Sequence, residues 1–414
     1  MPQLCFYFQL HQPYRLRDFS LFDLSHNTEY FSDREPDGNK AIFQKVAAKS
    51  YLPMLTLLNE LVARHSEFKF ALSCSGIFLD QALAYEPQVV KLLQQLASTG
   101  QVEFLAETYY HSLAGLYSEK EFTAQVAQHS DLMGELFEIK PQVFRNTELI
   151  YSNEVSLRVA KLGFKAQLTE AVDRYLHGRD RTQLFVNHTH KLPLLLKHAQ
   201  LSDDIAFRFS DKNWHAHPLT VEKYLEWVEI YPEHHLVNLF MDFETFGEHQ
   251  WADTGIFQFF EALVQKFLER PWNTFVTPSQ VIEKLQTAKR KLNDLPVYNV
   301  PLPISWADVD RDLTAWTENA LQKDTLRIIY EMEKPILASK NKALIEDWRK
   351  LQTSDHFYYM CTKWAADGDV HAYFSPYKSP FEAYRRFSVV LADVKSRLTQ
   401  RQVTKHSRST FKLS

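Results

Sequence analysis

Acidic side chains follow short apolar segments at several places in this chain, and two of them could form a catalytic pair. Glu148 follows one such segment, and Asp242 ends another, with Glu244 two positions later. Two carboxyl groups whose surroundings separate their pKa values can break a glycosidic bond, one attacking the anomeric carbon and the other protonating the leaving oxygen. The alternatives are structural: Glu148 could be a buried partner of Arg145, and Asp242 could be a helix cap or a loop carboxylate.

Other side chains near these positions could bind the hydroxyl groups or the apolar faces of a sugar. His11 and Glu107, with His111 shortly after, also follow apolar segments, and each is either a hydroxyl ligand or a buried polar group satisfied within the fold. Glu244 could contact substrate or tune Asp242. The aromatic candidates for a sugar platform, each of which could equally be a core residue, are Phe246, Trp251, Trp306 and Trp316.

Short β-rich segments alternate with amphipathic helical patterns over the first two thirds of the chain, which predicts parallel strands covered by helices. The helical patterns include Tyr51–Arg64 and Gln88–Ser98. The strand candidates are Leu4–Leu10, Phe68–Cys74, Val102–Glu107, Val143–Asn146, Ala166–Thr169, Ile205–Phe209, Leu236–Asp242 and Thr274–Thr277. Seven or eight such units would form a barrel, and the carboxyl ends of its strands would bring the polar residues to one rim.

The pattern changes after residue 290, where helical segments dominate. Thr277-Pro278-Ser279-Gln280 is a helix start signal, with a capping Thr, Pro at the first position and Gln at the capping-box position. We expect a catalytic barrel over 1–290, then a helical region over 291–400 that packs on the barrel and contributes to the cleft. Thr325–Ser339 should be kinked near Pro335, and 401–414 should be a polar, frayed tail.

Composition limits the classes of function. The 414 residues carry a formal net charge of −4, which disfavours a dedicated nucleic-acid binder and favours a neutral substrate. The three cysteines are odd in number and widely spaced, so neither a disulfide framework nor a zinc ribbon is expected. No signal peptide and no apolar run long enough to cross a membrane is evident, so we expect a soluble, cytoplasmic protein without a membrane partner. The sequence does not indicate an oligomeric state.

Five ordered motifs resemble the signature regions of glycoside hydrolase family 57, the α-amylase-like family. They are His11-Gln12-Pro13, Gly100–Leu105 with the downstream His111, Phe144–Leu149, Met241–Glu248, and Ile304–Asp308 with its continuation to Trp316. A single motif such as His-Gln-Pro is weak, whereas the ordered set is specific and spans residues 4 to about 385. Asn146 and Thr147 before Glu148 are similar to the α-amylase-type branch of the family.

The resemblance implies an α/β fold, an incomplete TIM-like (β/α)7 barrel followed by a helical C-terminal region, and a retaining mechanism with no metal or other cofactor. It implies that Glu148 is the nucleophile and Asp242 the general acid/base, and that the substrate is an α-glucan or a maltooligosaccharide. From their positions in the chain we further predict substrate binding by His11, Glu107, His111, Arg145, Glu244, Phe246, Trp251, Trp306, Asp308 and Trp316.

Three alternatives stay open. A 4-α-glucanotransferase or branching enzyme would use the same residues but pass the glycosyl group to a sugar hydroxyl. A metal-dependent polysaccharide deacetylase would need Asp and His ligands, although the sequence lacks a tight His-x3-His pair joined to an acid. A glycan-binding protein without catalytic activity would use the same aromatics and acids.

Overall fold

The computed structural model describes residues 3–24, 26, 28–31, 33, 38–232, 235–287, 291–307, 310–363 and 375–410, with side chains as far as residue 399. Two compact units divide the chain. The first comprises Met1–Gln12, Ile42–Tyr109 and Glu119–Trp306, and the second comprises Pro13–Ala41, Tyr110–Ser118 and Ala307–Ser414.

Ten short strands form two sheets in the described part of the first unit. They are β1 Gln3–Leu10, β2 Phe70–Cys74, β3 Val102–Phe104, β4 Val143–Arg145, β5 Ala166–Thr169, β6 Phe185–Asn187, β7 Pro193–Leu196, β8 Leu236–Asp242, β9 Thr274–Phe275 and β10 Val297–Tyr298. One sheet has the order β3-β2-β1-β8, with β9 also paired to β1, and the other has the order β10-β6-β7-β5-β4. All pairs are parallel except β6 with β7.

Hydrogen bonds join the two sheets. A parallel bridge between Ala106 and Phe144 connects the end of β3 to β4. After β7, the backbone N–H of His198 donates to the carbonyl of Asn238 in β8 at 2.8 Å, and the Asn238 side chain donates to the carbonyl of Leu196 at 2.9 Å. The predicted class, an incomplete TIM-like α/β barrel with a helical C-terminal region, is confirmed, and solved structures described below share it.

Alternation along the strands separates two apolar layers. In β1, Leu4, Phe6, Phe8 and Leu10 pack in the cluster shared with the surrounding helices, whereas Cys5 and Tyr7 belong to a second cluster. This second cluster takes residues from β2, β4, β5, β7 and β8 as well, so it fills the interior that these strands enclose. Side chains in a strand alternate between its faces, and residues two positions after a member of this cluster therefore also point inward.

Helices of the first unit follow the strands, as expected for parallel crossovers. The predicted helical segments Tyr51–Arg64 and Gln88–Ser98 are helices Leu52–Arg64 and Pro87–Ser98, and the predicted Thr277 cap precedes helix Pro278–Thr287, with Gln280 reaching back to the Thr277 N–H at 3.2 Å. The helices of this part of the chain are Asn39–Val46, Leu52–Arg64, Gly76–Tyr85, Pro87–Ser98, Glu119–Phe137, Asn153–Lys161, Asp173–Leu176, Ala199–Ala206, Val221–Glu229, Ile256–Leu268 and Pro278–Thr287.

One strand prediction is wrong. Ile205–Phe209, expected as the sixth strand, contains the end of helix Ala199–Ala206, and the strand lies earlier, at Pro193–Leu196. The apolar pattern at Ile205–Phe209 arises because Ile205, Ala206 and Phe209, at and just after the end of this helix, pack in the cluster that β1 shares with the surrounding helices. Periodicity over so few residues does not distinguish the two structures.

The second unit is helical. Its helices are Ala114–Tyr117, Thr314–Thr317, Ala320–Glu331, Glu333–Ser339, Lys342–Lys350, Ser354–Tyr358 and Pro380–Thr410. The expected break near Pro335 occurs at Met332, since proline lacks the N–H that would continue the ladder. The last helix runs to Thr410, so the predicted tail is helical through most of its length. Among the helices that the structure describes, none is both long and apolar enough to span a bilayer.

Candidate active site

Inward-facing residues change from apolar to polar at the carboxyl ends of the strands. Leu105, Val143, Leu168, Leu195 and Phe240 belong to the interior cluster. The residues two positions later, which point the same way, are Glu107, Arg145, Glu170, Lys197 and Asp242. The interior is thus closed by apolar side chains and bears a charged layer at one end, where parallel barrels carry their sites.

Glu148 lies in a turn directly after β4, in a backbone conformation that side chains rarely adopt. Glu148 has φ 56° and Leu149 has φ 49°, both in the left-handed region. The turn is held by the Asn146 side chain, which donates to the carbonyl of Ile150 at 2.9 Å, and by a 2.9 Å hydrogen bond between the hydroxyls of Thr108 and Thr147. Such strained residues persist where their surroundings hold them, commonly at functional sites. Glu148 remains partly exposed, whereas Thr147 and Leu149 are buried.

Trp306 fixes the carboxylate of Glu148. Its indole Nε1–H donates to Glu148 Oε2 at 2.9 Å, and its backbone N–H donates to the Glu148 carbonyl at 3.2 Å. The indole ring lies 4.8 Å from the Arg145 guanidinium carbon and 5.4 Å from Lys197 Nζ. Both cations are buried, and cation–π contacts are stronger where water is excluded. Trp306 thus connects the Glu148 carboxylate, through its N–H, with two buried cations that contact the face of the same ring.

Asp242 ends β8 on the far side of the interior from β4. In the strand order, β1, β2 and β3 separate β8 from β4, so Glu148 and Asp242 follow strands on opposite sides of the inner space. Asp242, like Glu148, is partly exposed, and its backbone partner in β1 is Gln9. Two accessible carboxyl groups therefore flank the same end of the barrel.

Glu244, two residues after Asp242, has a pKa well above the ordinary value of a glutamate. Burial first and the negative charge of Asp242 second raise the pKa of Glu244 to about 8. The Tyr51 hydroxyl donates to Glu244 Oε1 at 2.5 Å. A neutral Glu244 therefore accompanies Asp242 until the pH approaches 8.

The loop that carries Glu244 is anchored on a π-helical turn, Ala47–Tyr51, which precedes helix Leu52–Arg64. Pro53 has no N–H to give to the carbonyl of Lys49 four residues earlier. Gly247 approaches that carbonyl so closely that an added Cβ would lie 1.9 Å from the Lys49 oxygen, and its φ is 106°. Only glycine fits at this position. The same π turn also positions Tyr51 so that its hydroxyl contacts Glu244.

A buried network of polar side chains connects Asp242's neighbour in β1 to Glu107. The Tyr7 hydroxyl lies 2.6 Å from both Gln9 Oε1 and Ser73 Oγ, and Gln9 Nε2 donates to Glu107 Oε1 at 2.9 Å. Burial raises the pKa of the Tyr7 hydroxyl, with Arg145 opposing and Glu107 and Asp242 adding to the shift. Tyr7 therefore stays protonated among charged groups of both signs.

The remaining predicted residues of the first unit differ in exposure. His11 is partly exposed, with Nδ1 2.7 Å from the Ser75 hydroxyl. Trp251 is 58% exposed, with Lys49 Nζ 5.6 Å from its ring centre. Phe246 is fully buried and packs edge-on against Phe8 and Phe260, so its ring has no surface for a sugar. The surroundings of Phe246 match the alternative interpretation, in which its ring is a core residue and not a sugar platform.

Two predicted residues belong to the second unit, and one lies outside the described residues. His111 is buried with φ 49°, and its carbonyl accepts the Ser354 N–H at 3.0 Å. Trp316 is buried against the ring of Tyr358, with 5.8 Å between ring centres. Asp308 is not among the described residues. No group of three or more His, Cys, Asp or Glu side chains suited to a metal ion occurs in the part of the chain that the structure describes.

Two side chains of this region, Lys197 and Tyr51, were not singled out from the sequence. Lys197 lies 3.0 Å from Asp203 and 3.9 Å from Glu170, and its ammonium contacts the Trp306 ring. Lys197 was not predicted because strand β7, which it follows, was not predicted. The apolar run Pro193-Leu194-Leu195-Leu196 before Lys197, which is buried in the structure, could have indicated both. Tyr51 carried no signal beyond its place in a helical pattern.

Comparison with known proteins places this chain in a class of glycoside hydrolases. The model of the family described as glycosyl hydrolase family 57 matches residues 5–298. A protein of Methanocaldococcus jannaschii named "Putative alpha-amylase" is 36% identical over 420 residues, which cover 98% of this chain and 87% of that protein. The chain belongs to glycosyl hydrolase family 57 and is a glycoside hydrolase.

Solved structures share the fold at low sequence identity. A branching enzyme of this family from Thermococcus kodakaraensis superposes with a TM-score of 0.67 at 14% identity, covering 96% of this chain and 90% of that one. The α-amylase AmyC of Thermotoga maritima gives 0.62 at 11% identity, covering 98% and 94%. A 4-α-glucanotransferase from Thermococcus litoralis gives 0.60 at 15% identity, covering 86% and 56%.

Proposed function

We propose that this protein is a retaining α-glucan hydrolase of the α-amylase type, with Glu148 as nucleophile and Asp242 as general acid/base. The observation that supports this proposal is that two accessible carboxyl groups at the same end of the barrel have different surroundings. Glu148 accepts the Trp306 indole N–H at 2.9 Å beside two cations, whereas Asp242 stands beside Glu244, whose pKa is raised to about 8. Retaining hydrolysis needs one attacking carboxylate and one proton-bearing carboxyl group, and below about pH 8 the proton held by Glu244 is available to Asp242 for transfer to the leaving oxygen.

The reaction divides into two displacements. In the first, a Glu148 oxygen bonds to the anomeric carbon while the glycosidic C–O bond breaks, and the Asp242 carboxyl proton moves to the leaving oxygen. In the second, Asp242 takes a proton from water, the water oxygen bonds to the anomeric carbon, and the ester to Glu148 breaks. One water is consumed, both carboxyl groups regain their starting states, and the product keeps the α configuration.

Arg145 and Lys197 support the second step in this proposal. Negative charge leaves Glu148 as the ester forms and returns as it breaks, so fixed positive charges nearby stabilise the carboxylate as leaving group in the second step. The Arg145 guanidinium is fully buried and has no hydrogen-bond partner among the described residues, so in this proposal it acts as a fixed charge and not as a direct ligand of the sugar. His11, partly exposed directly after β1, would bind a sugar hydroxyl, whereas Glu107 is fully buried and accepts from Gln9 at 2.9 Å.

The products that the protein forms from maltoheptaose distinguish hydrolysis from transglycosylation. The hydrolase proposal expects shorter oligosaccharides only, with the α anomer formed first in a time-resolved NMR spectrum. Early products longer than maltoheptaose would instead identify a transferase, and a first-formed β anomer would overturn the retaining mechanism. Binding of maltoheptaose without turnover would identify a glycan-binding protein.

Chemical rescue tests the two residue assignments separately. Glu148→Ala with azide and an α-maltosyl fluoride should yield a β-configured maltosyl azide, because azide enters from the side that the nucleophile has vacated. Asp242→Ala should yield the α-configured azide, because the glycosyl-enzyme still forms. The matched controls are Glu154→Ala and Asp253→Ala, two exposed carboxylates near each site in sequence, which should keep full activity. Azide products of the opposite configuration would exchange the two roles, and full activity in either variant would remove that residue from the chemistry.

A further inference from the structure

A cavity lies on the outer helices of the first unit and begins at His198, the residue after Lys197. Its volume is about 600 Å³, and its lining contains none of the residues assigned to the candidate active site. It is built from the start of helix Ala199–Ala206, the loop that follows that helix, and the end of helix Val221–Glu229. Ile230, 74% exposed, marks its solvent side. Cavities that hold small molecules commonly have about 300–1,000 Å³.

Aromatic rings form one wall of this cavity. Trp214 and Trp227 meet edge to face, with ring centres 5.9 Å apart and planes at 74°, and both rings are partly exposed. Two indoles held at a right angle by packing present a rigid, partly apolar corner. A ligand with a flat apolar face and a polar edge matches such a corner.

The polar groups of the cavity include a donor whose direction can be deduced. Burial lowers the pKa of His198 to about 4, so its ring is neutral. His198 Nδ1 accepts the Leu201 N–H at 3.3 Å, which requires the ring proton to lie on Nε2. Nε2 then donates to the Tyr231 oxygen at 2.6 Å, and the Tyr231 hydroxyl proton remains for another acceptor. Tyr231 lines the cavity, so this proton can serve a ligand oxygen.

Charges in the cavity compensate each other. Asp204 is 2% exposed and accepts the Arg208 Nε–H at 2.6 Å through Oδ1, while Oδ2 has no hydrogen-bond partner among the described residues. A buried acceptor of this kind is satisfied by a hydroxyl donor. Because the carboxylate and the guanidinium neutralise each other, the cavity favours a neutral ligand over an anion such as a phosphate.

We propose that this cavity is a second, non-catalytic carbohydrate site that binds a segment of an α-glucan chain. The ligand must be neutral, bear several hydroxyl groups and have flat apolar faces, and a pyranose chain combines these properties. The proposal rests on the proposed function, since the polymer that is cleaved at the strand ends supplies the ligand. The site would hold a long chain on the surface while another segment enters the active site, which raises the local concentration of substrate.

Calorimetry on a protein that cannot turn over substrate tests the site directly. In Glu148→Gln, maltoheptaose should bind at two sites per chain, and adding Trp214→Ala should abolish one of them or weaken it about tenfold or more. Adding Tyr231→Phe, which keeps the ring and removes the hydroxyl, should weaken the same site by about three- to tenfold. Trp272→Ala is the matched control, because Trp272 is 54% exposed in the same unit and does not line the cavity.

Activity measurements separate the failure of this proposal from failure of the proposed function. In the otherwise wild-type enzyme, Trp214→Ala should lower cleavage of granular starch about tenfold and leave cleavage of maltotriose within about twofold. A single binding site in Glu148→Gln together with normal turnover by the wild type would overturn the second site alone. Binding that depends on Trp214 together with no turnover by the wild type would overturn the proposed function alone. If Trp214→Ala melts early by circular dichroism, the Tyr231→Phe titration decides.

Discussion

The indole of Trp306 donates its N–H to Oε2 of Glu148 at 2.9 Å. The face of the same ring contacts the guanidinium of Arg145 and the ammonium of Lys197. One side chain thus orients the candidate nucleophile and holds two cations near it. The sequence had offered Trp306 as a sugar platform, but its polar edge is engaged by the protein itself.

Trp306→Phe removes that hydrogen bond and keeps an aromatic ring near the cations. We expect kcat on maltoheptaose to fall about tenfold to a hundredfold, because a hydrogen bond to a charged group contributes about 1.5–3 kcal/mol. KM should stay within about twofold, since the lost contact is to the attacking carboxylate and not to the sugar. Steady-state kinetics measures both, with Trp272→Phe as the control. A change confined to KM would restore the platform role.

The sequence predicted the class of fold because each strand unit is a local pattern. Apolar runs such as Leu236–Asp242 are long enough to be read directly, and the observed β8 has the same bounds. The sixth unit failed because Pro193–Leu196 is only four residues long, and the nearby end of a helix gave a stronger apolar pattern. Strand boundaries also shortened, as in β3, which ends at Phe104 rather than Glu107.

The site was predictable where chemistry follows a strand and obscure where it depends on packing across the chain. Glu148 and Asp242 could be found from their positions after β4 and β8. The contact of Tyr51 with Glu244 joins residues 193 positions apart, through a π turn that no local pattern announces. Phe246 belongs to a motif that includes Asp242, but its ring packs in the core against Phe8 and Phe260. These contacts are distant in the chain, so no local pattern predicts them.

Glu244→Gln should change how stability depends on pH. The pKa of Glu244 is about 8 in the folded protein, against an ordinary value of 4.5, so the folded state binds the proton more tightly than the unfolded state. Stability of the wild type is therefore lost as the pH rises from about 4.5 to about 8, by up to about 1.4 kcal/mol per pH unit from this group. Glutamine is neutral throughout and still accepts from Tyr51, so this slope should disappear.

Urea unfolding at about pH 5 and about pH 8 measures that difference. Glu154→Gln, on an exposed carboxylate, should keep the wild-type slope. An unchanged slope in Glu244→Gln would mean that Glu244 is ionised in the folded protein at neutral pH, and that Asp242 stands beside a second negative charge.

Gly247→Ala should displace the loop that carries Glu244. An added Cβ would lie 1.9 Å from the Lys49 carbonyl oxygen, and the φ of 106° is itself unfavourable for alanine. We expect a loss of about 2 kcal/mol or more in the free energy of unfolding and a fall in kcat, because the contact of Tyr51 with Glu244 must open.

Gly134→Ala is the matched control for that change. Gly134 lies in helix Glu119–Phe137 with no heavy atom within 4 Å of the position of an added Cβ. Alanine there should stabilise the protein by about 0.5–1 kcal/mol and leave kcat unchanged. Equal stability of the two variants in urea would show that Gly247 tolerates a side chain and that the loop is not fixed at Lys49.

Phe246→Ala and Trp251→Ala should give opposite results, although both residues follow Asp242 closely in sequence. Phe246 is fully buried, so its truncation should cost about 3–5 kcal/mol of stability and leave KM for maltoheptaose within about twofold at a temperature where the variant is folded. Trp251 is 58% exposed, so its truncation should change stability by less than about 0.5 kcal/mol. If Trp251 forms a sugar platform, KM should rise about tenfold. A raised KM in Phe246→Ala with unchanged stability would return Phe246 to the substrate site, because a ring without exposed surface can reach a sugar only after leaving the core.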